Sequence, residues 1–231
     1  MYCKDCKNMG EFMLVERFYP DEYLDSTYSI DFAELAKKGY RGVLFDIDNT
    51  LVPHGAPADQ KAKALFAHLR ELGMDYCLIS NNQLPRVKPF ADAIGGKYIE
   101  DAHKPSTKNY RKAMQMMGCT EKDSLFVGDQ LFTDVWGAKR AGMHTILVKP
   151  IHPKEGIQIV LKRYLEKIVL FFYLKIQCAI SLSNSLTSTP FCKIIFIFKN
   201  IFTTILYKLF SIFPFCPHCF IMFLTFCYKL L

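Results

Sequence analysis

Short apolar runs alternate with amphipathic stretches between residues 42 and 148. The apolar runs lie near residues 42–46, 75–80, 97–100, 124–128 and 144–148, and helical patterns lie near 58–72, 83–94, 106–117 and 131–141. Strands that alternate with helices are typical of parallel sheets with helices on both faces. The pattern therefore predicts an α/β protein with a doubly wound, Rossmann-like parallel sheet of about five strands.

Two carboxylates follow the first of these apolar runs at once. Asp46 and Asp48 are two positions apart, and strand geometry sends alternate side chains to one face, so both could reach one pocket. In such a pair one carboxylate can act as a nucleophile while the other transfers a proton. An Asp-x-Asp string alone also occurs in solvated turns and calcium loops, so its meaning depends on the rest of the chain.

Other polar groups lie beyond the ends of later apolar runs. These groups are Ser80, Asn81, Lys104, Asp129 and Asp134. Ligands of doubly wound sheets bind outside the carboxyl ends of the strands. Carboxylates bind a hard cation through oxygen, and that cation with a lysine can offset phosphate charge. Together these groups indicate magnesium-dependent phosphoryl transfer, although Lys104 alone could be a solvated loop lysine and Ser80 to Asn82 a turn or helix cap.

The ordered motifs resemble those of the haloacid-dehalogenase-like (HAD-like) phosphatases. The matching strings are Asp46-Ile-Asp48-Asn-Thr50, Ser80-Asn81, Lys104-Pro105, and Gly128-Asp129 with Asp134. The strings Phe18-Tyr-Pro-Asp-Glu-Tyr23, Ser80-Asn-Asn82 and Gly128-Asp-Gln-Leu-Phe-Thr-Asp134 further resemble the YqeG group of subclass IIIA, which is similar to the mitochondrial phosphatidylglycerophosphatases. The resemblance covers roughly residues 11 to 168.

This resemblance implies a catalytic pair. Asp46 would attack phosphorus and form an aspartyl-phosphate, and Asp48 would protonate the leaving group and then activate water. The chain would thus be a phosphomonoester hydrolase, with phosphatidylglycerophosphate as the candidate substrate. A non-catalytic module that senses phosphate or magnesium is the alternative from another class.

The resemblance also implies the ligands of phosphate and metal. Phosphate oxygens would be bound by Thr50, Ser80, the Asn81 amide and Lys104. Mg²⁺ would be bound by Asp46, the backbone carbonyl of Asp48, Asp129 and Asp134.

The spacing of the motifs leaves no room for an inserted cap domain. About thirty residues separate Asp48 from Ser80, enough for a tight turn and one helix, and the interval from Asn82 to Lys104 is shorter. We therefore expect an open site, with residues 53–57 as a flap over its entrance. In this superfamily a capless site resembles those that act on a lipid headgroup, a protein or a polynucleotide end.

Composition divides the chain near residue 170. All twelve glycines and all 22 acidic residues precede residue 171, whereas residues 171–231 contain twelve of the twenty phenylalanines. The first 170 residues carry 24 basic side chains and hence a net charge of +2, so we expect no nucleic-acid partner. The expected domains are a phosphatase domain over residues 1–170, with its motifs in 42–148, and a hydrophobic tail over residues 171–231.

The tail has two main interpretations. Residues 209–228 lack Asp, Glu, Lys and Arg and are long enough to span a bilayer, although Pro214 and Pro217 interrupt them. A tail without Gly, Asp or Glu is also what a frame change into an AT-rich stretch would produce. A soluble packed subdomain fits less well, because charged surface residues and turn glycines are lacking.

Cysteine pairs and the amino terminus bear on metal content and location. The pairs Cys3/Cys6 and Cys216/Cys219 could form a four-thiolate zinc site, although the whole phosphatase domain separates them. Residues 1–10 are polar and lack the apolar core of a signal peptide. We therefore expect a cytoplasmic protein, with attachment to the inner membrane face if the tail is a membrane segment.

Overall fold

The structure is a computed structural model that describes residues 16–152, 163–167, 169–171, 173, 174 and 177. The chain divides into two units, Met1–Tyr173 and Leu174–Leu231. The fold described below belongs to the first unit. The predictions about residues 209–228 and about the cysteine pairs lie outside the described residues, and the domain boundary at residue 170 stays a prediction. In the described part of the chain, no helix has the length and apolarity needed to cross a membrane.

In the described residues, a sheet of six strands, all parallel, forms the centre of the first unit. Its strands in chain order are β1 (Glu22–Leu24), β2 (Gly42–Phe45), β3 (Asp75–Ile79), β4 (Lys97–Ile99), β5 (Ser124–Gly128) and β6 (His144–Val148). In the sheet they are ordered β1-β6-β5-β2-β3-β4. The described residues thus form one strand more than the five apolar runs of the sequence. The additional strand β1 is a three-residue edge strand and contains no apolar run.

Within the described residues up to 152, five α-helices connect or flank these strands. They are α1 (Phe32–Lys37), α2 (Gln60–Glu71), α3 (Leu84–Ile94), α4 (Thr107–Met117) and α5 (Trp136–Arg140). A π-helical turn, Leu131–Val135, precedes α5, so the single helix predicted over residues 131–141 consists of two segments. Residues 163–167 are also helical.

The sheet has a hydrophobic cluster on each face. Val43 and Phe45 pack with α1, α2 and α3, whereas Leu44 and Phe126 pack with α4 and α5. Alternate residues of β2 thus enter opposite clusters, as strand geometry requires. Every residue of β2 and β5 is buried, which is typical of a parallel sheet covered on both faces. The doubly wound prediction is confirmed.

The strand order reverses beside β2. The chain runs outward through β3 and β4, crosses back by way of α4 to β5, and continues to β6. Ligands of open parallel sheets bind at the carboxyl ends of the strands where the order reverses, which here is between β2 and β5. The connection from β2 to β3, which the structure describes in full, contains a turn and α2 and no inserted cap domain, as predicted.

Candidate active site

A tight turn follows β2 and places the first motif. The amide of Asp46 still donates to Val127 of β5, at 3.0 Å. Asn49 then adopts a left-handed conformation (φ 64°), which asparagine tolerates better than most residues, and Leu51 N donates to Ile47 O at 3.0 Å. The turn therefore holds the motif in one compact loop at the end of the central strand.

Two residues that sequence reasoning missed hold this turn from outside. The Thr27 hydroxyl donates to the carbonyl of Thr50 at 2.7 Å, and the Tyr28 hydroxyl donates to the carbonyl of Leu51 at 2.6 Å. Both donors lie in a single 3-10 turn, Thr27–Ser29. Because they bond only backbone atoms, no pattern of side chains in the motif could have indicated them.

Lys104 lies between two carboxylates. Its Nζ is 2.5 Å from Oδ1 of Asp46 and 2.7 Å from Oδ1 of Asp134, and all three residues are buried. Burial disfavours the charged form of the lysine, but Asp134 and Asp46 outweigh it and raise the pKa of Lys104. The lysine is therefore a buried cation, and the alternative of a solvated loop lysine is wrong.

Asn81 fixes the backbone at Lys104. The amide of Lys104 donates to Oδ1 of Asn81 at 2.7 Å, and Nδ2 of Asn81 donates to the carbonyl of Lys104 at 3.3 Å. The Ser80 hydroxyl is buried and accepts from the amide of Asn82 at 3.1 Å, which is a local turn contact. The end of β3 thus supports the loop that carries the lysine, and the phosphate-binding roles of Ser80 and Asn81 stay predictions.

Three buried carboxylates meet beside this lysine. One oxygen each from Asp46, Asp129 and Asp134 lies within 4.8 Å of the others. Burial raises the pKa of Asp46 to about 6 and that of Asp129 well above its usual range, while Lys104 and Arg163 respectively oppose these shifts. Such a site favours a cation that removes the repulsion between the carboxylates, and its all-oxygen donors suit a hard divalent ion.

The loop after β5 brings two of these acids together. Oδ2 of Asp134 accepts from the amide of Gln130 at 3.1 Å, and the Thr50 hydroxyl donates to Oδ1 of Asp129 at 3.2 Å. A Cβ atom at Gly128 would lie only 2.5 Å from Oδ2 of Asp134. Glycine is therefore required at position 128 for Asp134 to approach the strand end. Thr50, predicted to bind phosphate, lies against the acidic triad.

The side chain of Asp48 points to a different set of partners. Its Oδ1 accepts from the amide of Gly55 at 2.7 Å and from the guanidinium of Arg86 at 2.9 Å, and its Oδ2 accepts from Nδ2 of Asn82 at 2.6 Å. Its carboxylate is not part of the triad formed by Asp46, Asp129 and Asp134. The expectation that Asp48 would bind a metal through its backbone carbonyl does not require its carboxylate in the triad. That role of the carbonyl stays a prediction.

Two charged residues beyond the last motif also reach the site. Arg163 donates to the carboxylate of Asp129 and, at 2.5 Å, to its carbonyl, and it pairs with Glu166 at 3.0 Å. Oε1 of Glu166 accepts from the amide of Leu131 at 2.7 Å. Sequence reasoning missed both residues, because they follow no strand. Their i,i+3 spacing was a sequence signal that could have indicated an ion pair between them.

The net charge of this centre suits a divalent cation. When ionised, the carboxylates of the triad and Glu166 outnumber the two cations Lys104 and Arg163 by two. The resulting net charge of −2 is what one divalent ion neutralises. The residues present therefore fit such an ion.

Fold and site together define a class: an α/β protein with a doubly wound parallel sheet and, at its switch point, a buried acidic triad that could hold a metal ion. A family model described as HAD-hydrolase-like matches residues 102–150. The chain is also 35% identical over 159 residues to the protein named "Probable phosphatase YqeG" of Bacillus subtilis, a match that covers 68% of this chain and 92% of that protein. The chain therefore belongs to the HAD-like phosphatases and, within them, to the YqeG family.

More distant relatives extend this comparison. The chain is 29% identical over 164 residues to phosphatidylglycerophosphate phosphatase 1 of Arabidopsis thaliana, a match that covers 60% of this chain but 45% of that protein. Among solved structures, the cobalt-bound deoxy-D-mannose-octulosonate 8-phosphate phosphatase of Haemophilus influenzae is 14% identical, with a TM-score of 0.40 over 49% of this chain and 69% of that one. The family assignment depends on the sequence matches and not on this structural likeness.

Proposed function

We propose that this phosphatase is a Mg²⁺-dependent phosphomonoester hydrolase that works through an aspartyl-phosphate intermediate. The observation that carries the proposal is the contact of Lys104 with both Asp46 and Asp134, within a buried triad at the switch point of the sheet. A buried cation and two further acids beside the carboxylate of Asp46 suit phosphoryl transfer, which depends on positioning and on charge stabilisation.

The first proposed step transfers the phosphoryl group to the protein. An oxygen of Asp46 forms a bond to phosphorus while the bond from phosphorus to the leaving-group oxygen breaks. Asp48, in its protonated form, donates a proton to that leaving oxygen. Lys104 stays close to Asp46 and stabilises the negative charge of the phosphoryl oxygens. Asp46, Asp129 and Asp134 would hold Mg²⁺, which would supply further positive charge to the site.

The second proposed step releases phosphate. Asp48, now ionised, takes a proton from a water molecule as the oxygen of that water forms a bond to phosphorus. The bond between phosphorus and Asp46 breaks, which restores both carboxyl groups to their starting states. The hydrogen bonds from Asn82 and Arg86 support this role, because they orient Asp48 separately from the triad.

The candidate substrate is phosphatidylglycerophosphate. Support comes from the Arabidopsis relative named for this activity and from the absence of a cap over the described site. A headgroup at a membrane surface could reach such an open edge. We further propose a cytoplasmic location, with attachment to the inner membrane face if residues 209–228 form a membrane segment. A phosphorylated protein or polynucleotide end is the alternative substrate.

Phosphate release by the full chain tests this function. The substrates are phosphatidylglycerophosphate vesicles, a phosphopeptide, a 5′-phosphorylated oligonucleotide and an aryl phosphate, each with and without Mg²⁺. Magnesium-dependent release that is selective for the lipid would support the full proposal. Release from the aryl ester alone would remove the lipid assignment, and no release from a folded, Mg²⁺-binding protein would favour a phosphate- or magnesium-sensing module.

A further inference from the structure

A groove of about 420 Å³ lies beside Asp48, and none of the steps above uses it. Its walls come from the loop after β2, from α2 and from α3. Lining residues that matter here are Gly55, Pro57, Lys63, Arg86, Pro89 and Phe90. Its volume lies in the range of sites that bind small molecules, roughly 300–1,000 Å³.

Asp48, the proposed general acid, does not itself line the groove, but two of its hydrogen-bond partners do. Gly55 and Arg86 both line it, and both donate hydrogen bonds to Oδ1 of Asp48, at 2.7 and 2.9 Å. A general acid must lie within hydrogen-bond reach of the atom that it protonates, which here is the leaving-group oxygen. The alcohol half of the substrate must therefore pass Asp48, and the groove is the space next to it.

The charge of the groove selects its ligand. Lys63 on α2 and Arg86 on α3 line it from different helices, and none of its described lining residues is acidic. The guanidinium of Arg86 also lies 5.6 Å from the ring centroid of Phe90, which restricts its orientation. Arg86 already donates to Asp48 through two of its nitrogens, so Lys63 and the remaining nitrogen of Arg86 supply the positive charge for a ligand. Beside apolar proline and phenylalanine side chains, they favour an anionic group attached to carbon chains.

We propose that this groove binds the alcohol half of the phosphomonoester and selects an alcohol that carries a second phosphate charge. The occupant is the glycerol phosphodiester portion of a phosphatidylglycerophosphate headgroup, with Arg86 and Lys63 binding its phosphodiester oxygens. This inference rests on the proposed function, because it requires Asp48 to protonate the leaving group.

The test compares two water-soluble lipids that carry the same pair of hexanoyl chains. Phosphatidylglycerophosphate has a second phosphate in its alcohol half, whereas phosphatidic acid has none. The full chain should prefer the first, by kcat/KM, by about 10-fold or more, since hydrogen bonds to a charged group are stronger than those between neutral groups. Lys63→Gln should lower this preference about 2- to 5-fold, the effect of an exposed charge pair, and Arg86→Gln should lower it further.

Lys61→Gln is the matched control, because Lys61 is an exposed lysine on the same helix and does not line the groove. It should leave the preference unchanged. An unchanged preference in Lys63→Gln, or an equal loss in Lys61→Gln, would overturn the groove assignment. Hydrolysis of an aryl phosphate distinguishes failure of the groove assignment from failure of the proposed function. If the full chain hydrolyses the aryl phosphate but does not distinguish the two lipids, the groove assignment alone is overturned. Failure to hydrolyse any of these esters would overturn the proposed function and the groove assignment with it.

Discussion

Nζ of Lys104 lies 2.5 Å from Oδ1 of Asp46, although 58 residues separate them in the chain. Asp134 completes the contact from the other side of the lysine, at 2.7 Å. Asp46 follows β2, Lys104 follows β4 and Asp134 follows β5. Three segments of the sequence thus meet at one buried cation. The positive charge of Lys104 is thus shared by two buried carboxylates.

Replacing Lys104 with methionine should destabilise the protein strongly. Asp46 and Asp134 would lose their shared counter-ion while remaining buried, and breaking a buried pair in this way costs about 3–5 kcal/mol. Urea denaturation without divalent ions would measure the free energy of unfolding. Lys108→Met, at an exposed position of α4, should change it by about 0.5 kcal/mol or less. A loss below about 1 kcal/mol at Lys104 would contradict the buried pairing.

Gly128→Ala should impair the metal site more than it impairs the fold. The new methyl group would overlap Oδ2 of Asp134 and displace that carboxylate, at a cost of about 1–3 kcal/mol. We expect weaker Mg²⁺ binding by calorimetry. Gly73→Ala adds a methyl group in open space at φ 71°, and should reduce stability without altering Mg²⁺ binding. Unchanged binding in Gly128→Ala would show that Asp134 is not a ligand in its present position.

Arg163→Gln should increase the response of the protein to Mg²⁺. Removing the guanidinium from Asp129 makes the centre more negative by one charge, so an added divalent cation gains more. The melting temperature without Mg²⁺ should fall, and its rise on adding Mg²⁺ should exceed that of the wild type. Arg111→Gln, an exposed arginine on α4, serves as the control. A smaller rise would mean instead that Arg163 holds Asp129 in position for the metal.

Asp21 should contribute stability that depends on pH. Burial alone would raise its pKa, but hydrogen bonds from Thr145 and the contact with Lys139 outweigh this and lower it below 3.8. Its ionised form therefore stabilises the fold above pH 3.8, and this contribution is lost as pH falls through the lowered value. Asp21→Asn should cost about 1 kcal/mol at pH 7. In urea denaturation the difference from wild type should shrink towards pH 3, and a constant difference would contradict the assignment.

The sequence was sufficient for most of the sheet, and the reason is visible in its strands. Strands β2, β3, β5 and β6 consist mainly of buried residues, so each could be predicted from its apolar run. In β4 only Ile99 is buried. Strand β1 is half-buried and adjoins the polar contacts of Asp21 with Thr145. Those contacts span 124 residues, and no local pattern could indicate them.

The site likewise contains residues that could be predicted from the sequence and residues that could not. Asp46, Lys104 and Asp134 could be predicted to converge because each follows a strand whose end faces the same edge of a parallel sheet. Arg163 and Glu166 follow no strand, and only the tertiary structure brings them to Asp129 and Leu131. Arg86 lies four positions after Asn82 at the start of α3, where its contact with Asp48 depends on how that helix packs.

Hydrolysis of an aryl phosphate by Asp46→Asn, with Mg²⁺ present, is the most direct measurement of the proposed chemistry. An amide cannot act as the nucleophile, so activity should fall by about 10,000-fold or more, while Asp92→Asn at an exposed position of α3 retains it. The melting temperature of Asp46→Asn should show that it remains folded. Hydrolysis by folded Asp46→Asn at a rate near that of the wild type would contradict the aspartyl-phosphate mechanism.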